Sequence, residues 1–314
     1  MVEDLKFGVN IPMTLRDSYP KIMRIAQLCD SLGFDSFWMP DHFFFSPRFN
    51  AYLEVWTTQT ALAAVTRRLK FGNIVLCNSY RHPPVLAKMA ATFDVITGGR
   101  LEFGIGAGWK EDEYVAYGIE FPKASVRIGQ LREAVIIIKK MWTEESPSYE
   151  GRYYTIKNAI CEPKPVQKPH PPILIGGSGE KFLLKVVAEL ADRCNFDFGT
   201  KDGIEAYKRK IEVLNRYCRS FGRDPEEIEK TIIRQVIIAE DEDEVDAKIK
   251  RFKPADVKRE EYLKDRIVGT PEECVKRIQD YASLGFTYFI VNFPDMTDPK
   301  TLSLFAEKVI SKLK

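Results

Sequence analysis

The sequence predicts an α/β fold, an eight-stranded parallel barrel covered by helices: a (β/α)8 TIM barrel. Three observations predict it. Short apolar runs alternate with helical patterns along the whole 314-residue chain. The central runs are continuously apolar, as strands buried on both faces are. Two helix-to-strand junctions also repeat. Ser31-Leu32-Gly33-Phe34 leads into Ser36-Phe37-Trp38-Met39, and Ser283-Leu284-Gly285-Phe286 leads into Tyr288-Phe289-Ile290-Val291. Each glycine suits the left-handed position that ends a helix.

The elements follow in order. Lys6 to Ile11 reads as the first strand. Ile22, Ile25, Ala26, Cys29 and Leu32 then recur at helical spacing up to Gly33. Ser36–Met39 is the second strand, Phe71–Cys77 the third and Leu101–Ile105 the fourth. Ile173–Ile175, Cys194–Phe196, Thr231–Ala239 and Tyr288–Asn292 complete eight. Eight βα units suit a barrel better than a doubly wound sheet. One barrel domain is expected over residues 1–314. Between strands four and five, residues 143–172 form an insertion. Tyr149–Tyr154 reads as a small hairpin, and Pro163, Pro165, Pro169, Pro171 and Pro172 stiffen an extended crossing. Residues 240–266 are dense in both charge signs and read as solvated helix surface.

Composition narrows the function. There are 47 Lys and Arg against 45 Asp and Glu, a net charge of +2, which leaves no basic footprint for nucleic acid. No apolar run approaches a membrane span, and no export signal is visible at the start, so none is expected. Six cysteines lack any Cys-x-x-Cys pair, and three histidines lack ligand spacing, so neither a disulfide framework nor a metal is expected. A reduced, cytoplasmic enzyme acting on a small molecule is the expectation.

Active-site groups of such barrels lie at the C-terminal strand ends. After strand two stand Asp41 and His42, followed by Phe43, Phe44 and Phe45. Adjacent residues face opposite ways, so one points to the mouth and the other into its support. His42 is the natural proton carrier near neutral pH; a capping Asp and a packed His are the other reading. The three phenylalanines wall a pocket or pack under a lid. After strand three, Cys77 has no basic partner in sequence, and His82 before Pro83 reads as a structural turn residue. After strand four, Gly104-Ile105-Gly106-Ala107-Gly108-Trp109 allows close approach to a flat or anionic ligand, with Trp109 as cover, or makes a tight turn. After strand five, Gly176-Gly177-Ser178-Gly179 opens a helix, where free N–H groups suit a phosphate.

Taken in order, these segments resemble one family. Gly33-Phe34-Asp35-Ser36-Phe37-Trp38 with Asp41-His42, Arg81-His82-Pro83-Pro84, Thr97-Gly98-Gly99-Arg100-Leu101 and Gly106-Ala107-Gly108-Trp109 with Glu113 carry the likeness. So do Pro172-Ile173-Leu174-Ile175-Gly176-Gly177 and Gly269-Thr270-Pro271-Glu272-Glu273. The chain resembles the luciferase-like flavin- or deazaflavin-dependent oxidoreductases. Asp-His-Phe after strand two resembles the branch that uses coenzyme F420. The resemblance implies a cis-peptide bulge at Ile74–Val75 behind the coenzyme ring. It implies coenzyme contacts from Asp41, Cys77, Ala107, Gly108 and Asp112, and a phosphate held by Gly177, Ser178 and Gly179. Trp109 stands where the sugar-phosphate dehydrogenases of the family carry a catalytic Glu. Lys201 stands near their substrate-phosphate lysine.

The resulting expectation is hydride transfer between coenzyme F420 and a small organic substrate. His42 moves the proton, Asp41 orients or charges it, and Trp109 with Phe43–Phe45 holds the substrate. Two alternatives stand beside it. One is an FMN-dependent monooxygenase fed by a partner reductase. The other is a non-catalytic flavin-binding protein. The resemblance also implies a homodimer.

Overall fold

The computed structural model describes residues 5–11, 18–46, 51–196 and 204–314. The chain runs through β1 (Lys6–Asn10), α1 (Tyr19–Leu32), β2 (Ser36–Met39), α2 (Val55–Ala64) and β3 (Lys70–Asn73). It continues with β4 (Leu76–Cys77), α3 (Pro83–Thr97), β5 (Leu101–Gly106), α4 (Glu111–Ala116) and α5 (Ala124–Thr143). The insertion carries β6 (Tyr149–Glu150) and β7 (Thr155–Ile156). Then come β8 (Ile173–Gly176), α6 (Leu183–Leu190), β9 (Arg193–Phe196) and α7 (Ile204–Ser220). β10 (Glu229–Ile238), α8 (Glu242–Phe252), α9 (Arg259–Lys264), β11 (Ile267–Gly269), α10 (Pro271–Ala282), β12 (Phe286–Asn292) and α11 (Pro299–Phe305) finish the fold.

Eight parallel strands close on themselves in the order β1-β2-β3-β5-β8-β9-β10-β12, with β12 pairing back to β1. The predicted barrel is therefore observed, with the antiparallel β6–β7 hairpin in the insertion. The third strand is not continuous. It breaks at Ile74–Val75, whose peptide is cis, and resumes as β4 against β5. β11, which sequence reasoning missed, extends the sheet beside β10.

The junctions form as their residues dictate. Gly33 caps α1 at φ 82° and Gly285 stands at φ 88° before β12. Both are left-handed positions that glycine takes without a Cβ clash. Pro83 and Pro84 open α3, where a missing N–H leaves no bond unmade.

Trp38 fills the barrel interior with Leu174, Ile233, Tyr288 and Ile290. Gly8 and Gly72 make room for it; a Cβ on either would come within 2.5 Å of the indole. Burying such a ring contributes roughly 4 kcal/mol by area. Its Nε1 donates to Ser36 Oγ at 2.6 Å, so no indole donor is stranded. At the opposite end from the site, Arg193 bonds Glu102 and Glu229, and Lys6 bonds Glu229 at 2.8 Å. This ionic floor lies at the N-terminal strand ends, the stability face of such a barrel. α8 and α9 bury only Val245, Ile249 and Tyr262, so most of the charged stretch is solvated helix surface.

Candidate active site at the barrel mouth

A cavity of about 300 Å³ opens at the C-terminal strand ends. β2 contributes Asp41 and His42 from the loop that follows it. Ile74, Val75 and Cys77 come from the interrupted third strand. Gly106 ends β5 and Ala107 to Lys110 follow it, Gly176 ends β8 and Gly177 follows it, and Asn195 and Ile233 stand on β9 and β10. Val75 lies across the interior: its methyls sit 2.6–2.7 Å from where Gly106 and Gly176 would carry a Cβ. These glycines are what let a side chain form the cavity floor.

His42 is held by a residue that sequence reasoning did not assign. Its Nδ1 lies 2.7 Å from Glu113 Oε2, on α4. The Glu113 side chain is fully buried. It also accepts from the backbone N–H of Phe43 at 2.5 Å and of Phe44 at 3.1 Å, and from the Tyr80 hydroxyl at 3.0 Å. Burial pushes this carboxyl up, but the His42 bond and charge and the two amides outweigh it, so it titrates below the usual carboxylate range. A buried anion satisfied on every side is the arrangement burial demands.

Asp41 does not orient His42, contrary to expectation. Its carboxylate takes both Arg81 guanidinium nitrogens, at 2.6 and 3.1 Å, and the Cys77 amide at 3.0 Å. It thereby ties the end of β2 to β4. The opposite facing of neighbours along an extended chain explains this: His42 turns to α4 and Asp41 to Arg81. Arg81 also reaches Glu54 at 2.6 Å.

Phe43, Phe44 and Phe45 are not in the cavity wall, which corrects the substrate-wall expectation. Phe43 is stacked between Tyr80 and Tyr117, at centroid distances of 4.5 and 4.0 Å. Lys110 Nζ lies over Phe44 and Phe45, at 4.8 and 5.7 Å. The triplet is consumed in fastening its loop to the neighbouring one, where aromatic faces find rings and a cation. Phe45 does meet the His42 ring edge-on. Trp109 lines the cavity and meets His42 edge-on at 5.8 Å while 64% exposed, so it stands as a rim over the mouth.

Asp112 also lies outside the wall: it is solvent-facing and paired with Lys110 Nζ. Cys77 is in the wall, 3.0 Å from the Tyr114 hydroxyl, and burial pushes its thiol up to about 12. A neutral thiol is no nucleophile. Ala107 and Gly108 form the turn above it; Gly108 has φ 78°, and a Cβ there would strike the Tyr114 hydroxyl. His82 packs against Tyr154 and is absent from the wall, as its turn position implied. Lys201 lies outside the described residues.

Gly177 is at the cavity edge and its amide bonds Asn195 O at 3.1 Å. Ser178 and Gly179 continue away from it, and their amides donate to no carbonyl among the described residues. Lys210, from α7, donates to Ser178 Oγ at 2.6 Å. Free amides beside an ammonium are what a phosphate takes. Among the described residues, no cluster of His, Cys, Asp and Glu could hold a metal ion, and no helix is long and apolar enough to cross a membrane.

The profile of the luciferase-like monooxygenases matches residues 5–266. The chain belongs to the luciferase-like monooxygenase family. An F420-dependent glucose-6-phosphate dehydrogenase of Microbacterium testaceum is 29% identical, over 94% of this chain and 93% of its own. Two solved structures share the fold across 99% of this chain and 100% of theirs. The coenzyme F420-dependent tetrahydromethanopterin reductase of Methanopyrus kandleri superposes with a TM-score of 0.82 at 21% identity. A monooxygenase of Streptomyces bottropensis does so with 0.81 at 22%. At these identities the two structures establish the barrel alone.

Sequence reasoning missed Glu113 as a partner of His42, and with it Tyr80, Tyr114 and Lys210. Glu113 had one signal: an acid in the first turn of a helix at the mouth. Arg81 was quoted only as part of a motif, and nothing in the chain order marked it as the counter-ion of Asp41.

Proposed function

We propose that this protein is a hydride-transfer oxidoreductase that uses coenzyme F420 and a small organic substrate. The observation that carries the reading is the His42–Glu113 pair at the wall of the barrel-mouth cavity. It sets a proton-carrying ring, backed by a buried carboxylate, beside a floor of side chains and bare glycines. The F420-dependent relative, aligned over nearly the whole of both chains, supports the choice of coenzyme, as does Asp-His-Phe after β2.

The residues present fit such a coenzyme. Val75 and Ile74 would back its ring. Gly106 and Gly108 keep that surface free of side chains. Ser178, Gly179 and Lys210 would hold its phosphate. When bound, the deazaflavin supplies hydride transfer, and the protein supplies position and proton handling. Trp109 would cover the substrate on the open side. His42 would take or give the proton that accompanies the hydride, with Glu113 balancing the charge. With Trp109 in place of the glutamate carried by sugar-phosphate dehydrogenases of this family, glucose 6-phosphate is not the substrate we propose.

Titration of purified apoprotein with coenzyme F420 and with FMN, followed by anisotropy, tests the coenzyme. Binding of F420 at least roughly tenfold tighter is expected, a difference of about 1.4 kcal/mol. Tight binding of FMN alone would overturn the assignment and point to an oxygen-consuming monooxygenase with a partner reductase. A His42→Ala variant that binds coenzyme and keeps full turnover would remove His42 from the reaction.

A further inference from the structure

Four donors converge on one carboxylate at the cavity wall. His42 Nδ1 and the Tyr80 hydroxyl share Glu113 Oε2, and the amides of Phe43 and Phe44 share Oε1. Backbone amides can only donate, and an ionised carboxylate can only accept. The hydrogen between His42 and Glu113 therefore belongs to Nδ1. In water the isolated neutral ring favours the opposite tautomer, with its proton on Nε2, so the choice is imposed by the site.

We propose that Glu113 is the positioning residue for His42, holding the neutral ring as Nδ1–H and leaving Nε2 unprotonated toward the cavity. The inference rests on the reading of His42 as the proton carrier. A proton arriving from the substrate bonds to Nε2, and the ring becomes a cation against a carboxylate already in contact with it. Returning that proton restores the neutral tautomer, so no atom is left unaccounted for.

The other groups around the ring are committed elsewhere. Asp41 is paired with Arg81, which also takes Glu54. Lys110 is paired with Asp112, and Cys77 and Tyr114 face each other. Tyr80 donates to Glu113 itself. Orientation of a histidine by a carboxylate on its far nitrogen is a general device for fixing which nitrogen reacts.

The experiment is ring-nitrogen NMR of 15N-histidine-labelled protein at pH 8, without coenzyme or substrate. The chain has three histidines, so a His42→Gln variant assigns the signals. The expected wild-type spectrum shows a protonated Nδ1 and a bare Nε2 at His42. Glu113→Gln leaves one acceptor oxygen for four donors, and Glu113→Ala leaves none. In both the signal moves toward the Nε2–H tautomer. Wild-type protein with Nε2–H at His42 would overturn the proposal, whatever the variants do. So would a folded Glu113→Ala protein that keeps Nδ1–H. In turnover, Glu113→Gln is expected to lower kcat roughly tenfold or more, part of the roughly 10²–10⁴-fold that general acid–base assistance supplies. Coenzyme affinity should stay within about threefold. Full turnover in His42→Ala would instead defeat the functional reading while leaving the NMR result standing.

Discussion

The Cγ2 methyl of Val75 lies 2.7 Å from the point where Gly106 would carry a Cβ. Val75 is a residue of the interrupted third strand, and Gly106 ends β5. Gly176, at the end of β8, meets the other Val75 methyl at 2.6 Å in the same way. The cavity floor is thus one side chain laid over two bare backbones.

Gly106→Ala should therefore lift Val75 into the cavity. Overpacking of this kind costs about 1–3 kcal/mol. The larger effect is expected on coenzyme binding, weakened roughly tenfold or more as the floor rises. Fluorescence titration of the variant beside its melting temperature separates the two. Unchanged affinity in a folded Gly106→Ala protein would show that Val75 is not the surface the coenzyme meets.

Asp41 is 4% exposed and its charge is balanced by Arg81. Removing one partner of a buried pair leaves the other uncompensated, which costs about 3–5 kcal/mol. Arg81→Ala should lose stability on that scale. Asp41→Asn combined with Arg81→Ala should lose clearly less than the two single variants added together. Denaturant unfolding of the three proteins measures this. Strict additivity would mean that the bidentate contact is not what holds the β2 and β4 ends together.

The contrast between Asp41 and Glu113 shows how far the sequence could be read. The eight barrel strands and the glycine junctions at Gly33 and Gly285 follow from local pattern, because each depends on residues near in sequence. The barrel mouth was legible to the same degree: Asp41, His42, Gly108 and Trp109 stand where strand ends must meet. What the sequence could not reveal is who pairs with whom. His42 and Glu113 are 71 positions apart, Asp41 and Arg81 are 40 apart. Closure of the barrel decides both pairings. The three phenylalanines were misread for the same reason. An aromatic run announces buried rings, but whether they face a ligand or neighbouring tyrosines depends on Tyr80 and Tyr117, which arrive from other loops.

Burial is the largest influence on the Cys77 thiol and pushes it up to about 12; the Tyr114 hydroxyl opposes the rise and Asp41 adds to it. The thiol is therefore neutral through physiological pH and inert. Native protein alkylated with iodoacetamide at pH 8 should stay unmodified at Cys77. Rapid labelling of Cys77, read by mass spectrometry, would show a thiolate at the cavity wall and restore it as a nucleophile.

Glu113 makes a prediction about acid. Burial alone would raise its pKa, and the bonds from His42 and from the Phe44 and Phe43 amides more than reverse this, leaving the folded value below the usual one. The sign of the effect on stability follows by linkage. A group whose folded pKa is depressed contributes fully above its unfolded value, about 4.3 for Glu. That contribution is lost as pH falls through the folded value. Glu113→Gln lacks it at every pH, although the variant keeps every other carboxylate. The melting temperature of the wild type should therefore fall more steeply than that of Glu113→Gln between about pH 5 and pH 3. Parallel curves down to pH 3 would mean that His42 and the two amides do not favour the ionised carboxylate, and would withdraw the electrostatic basis on which His42 is held.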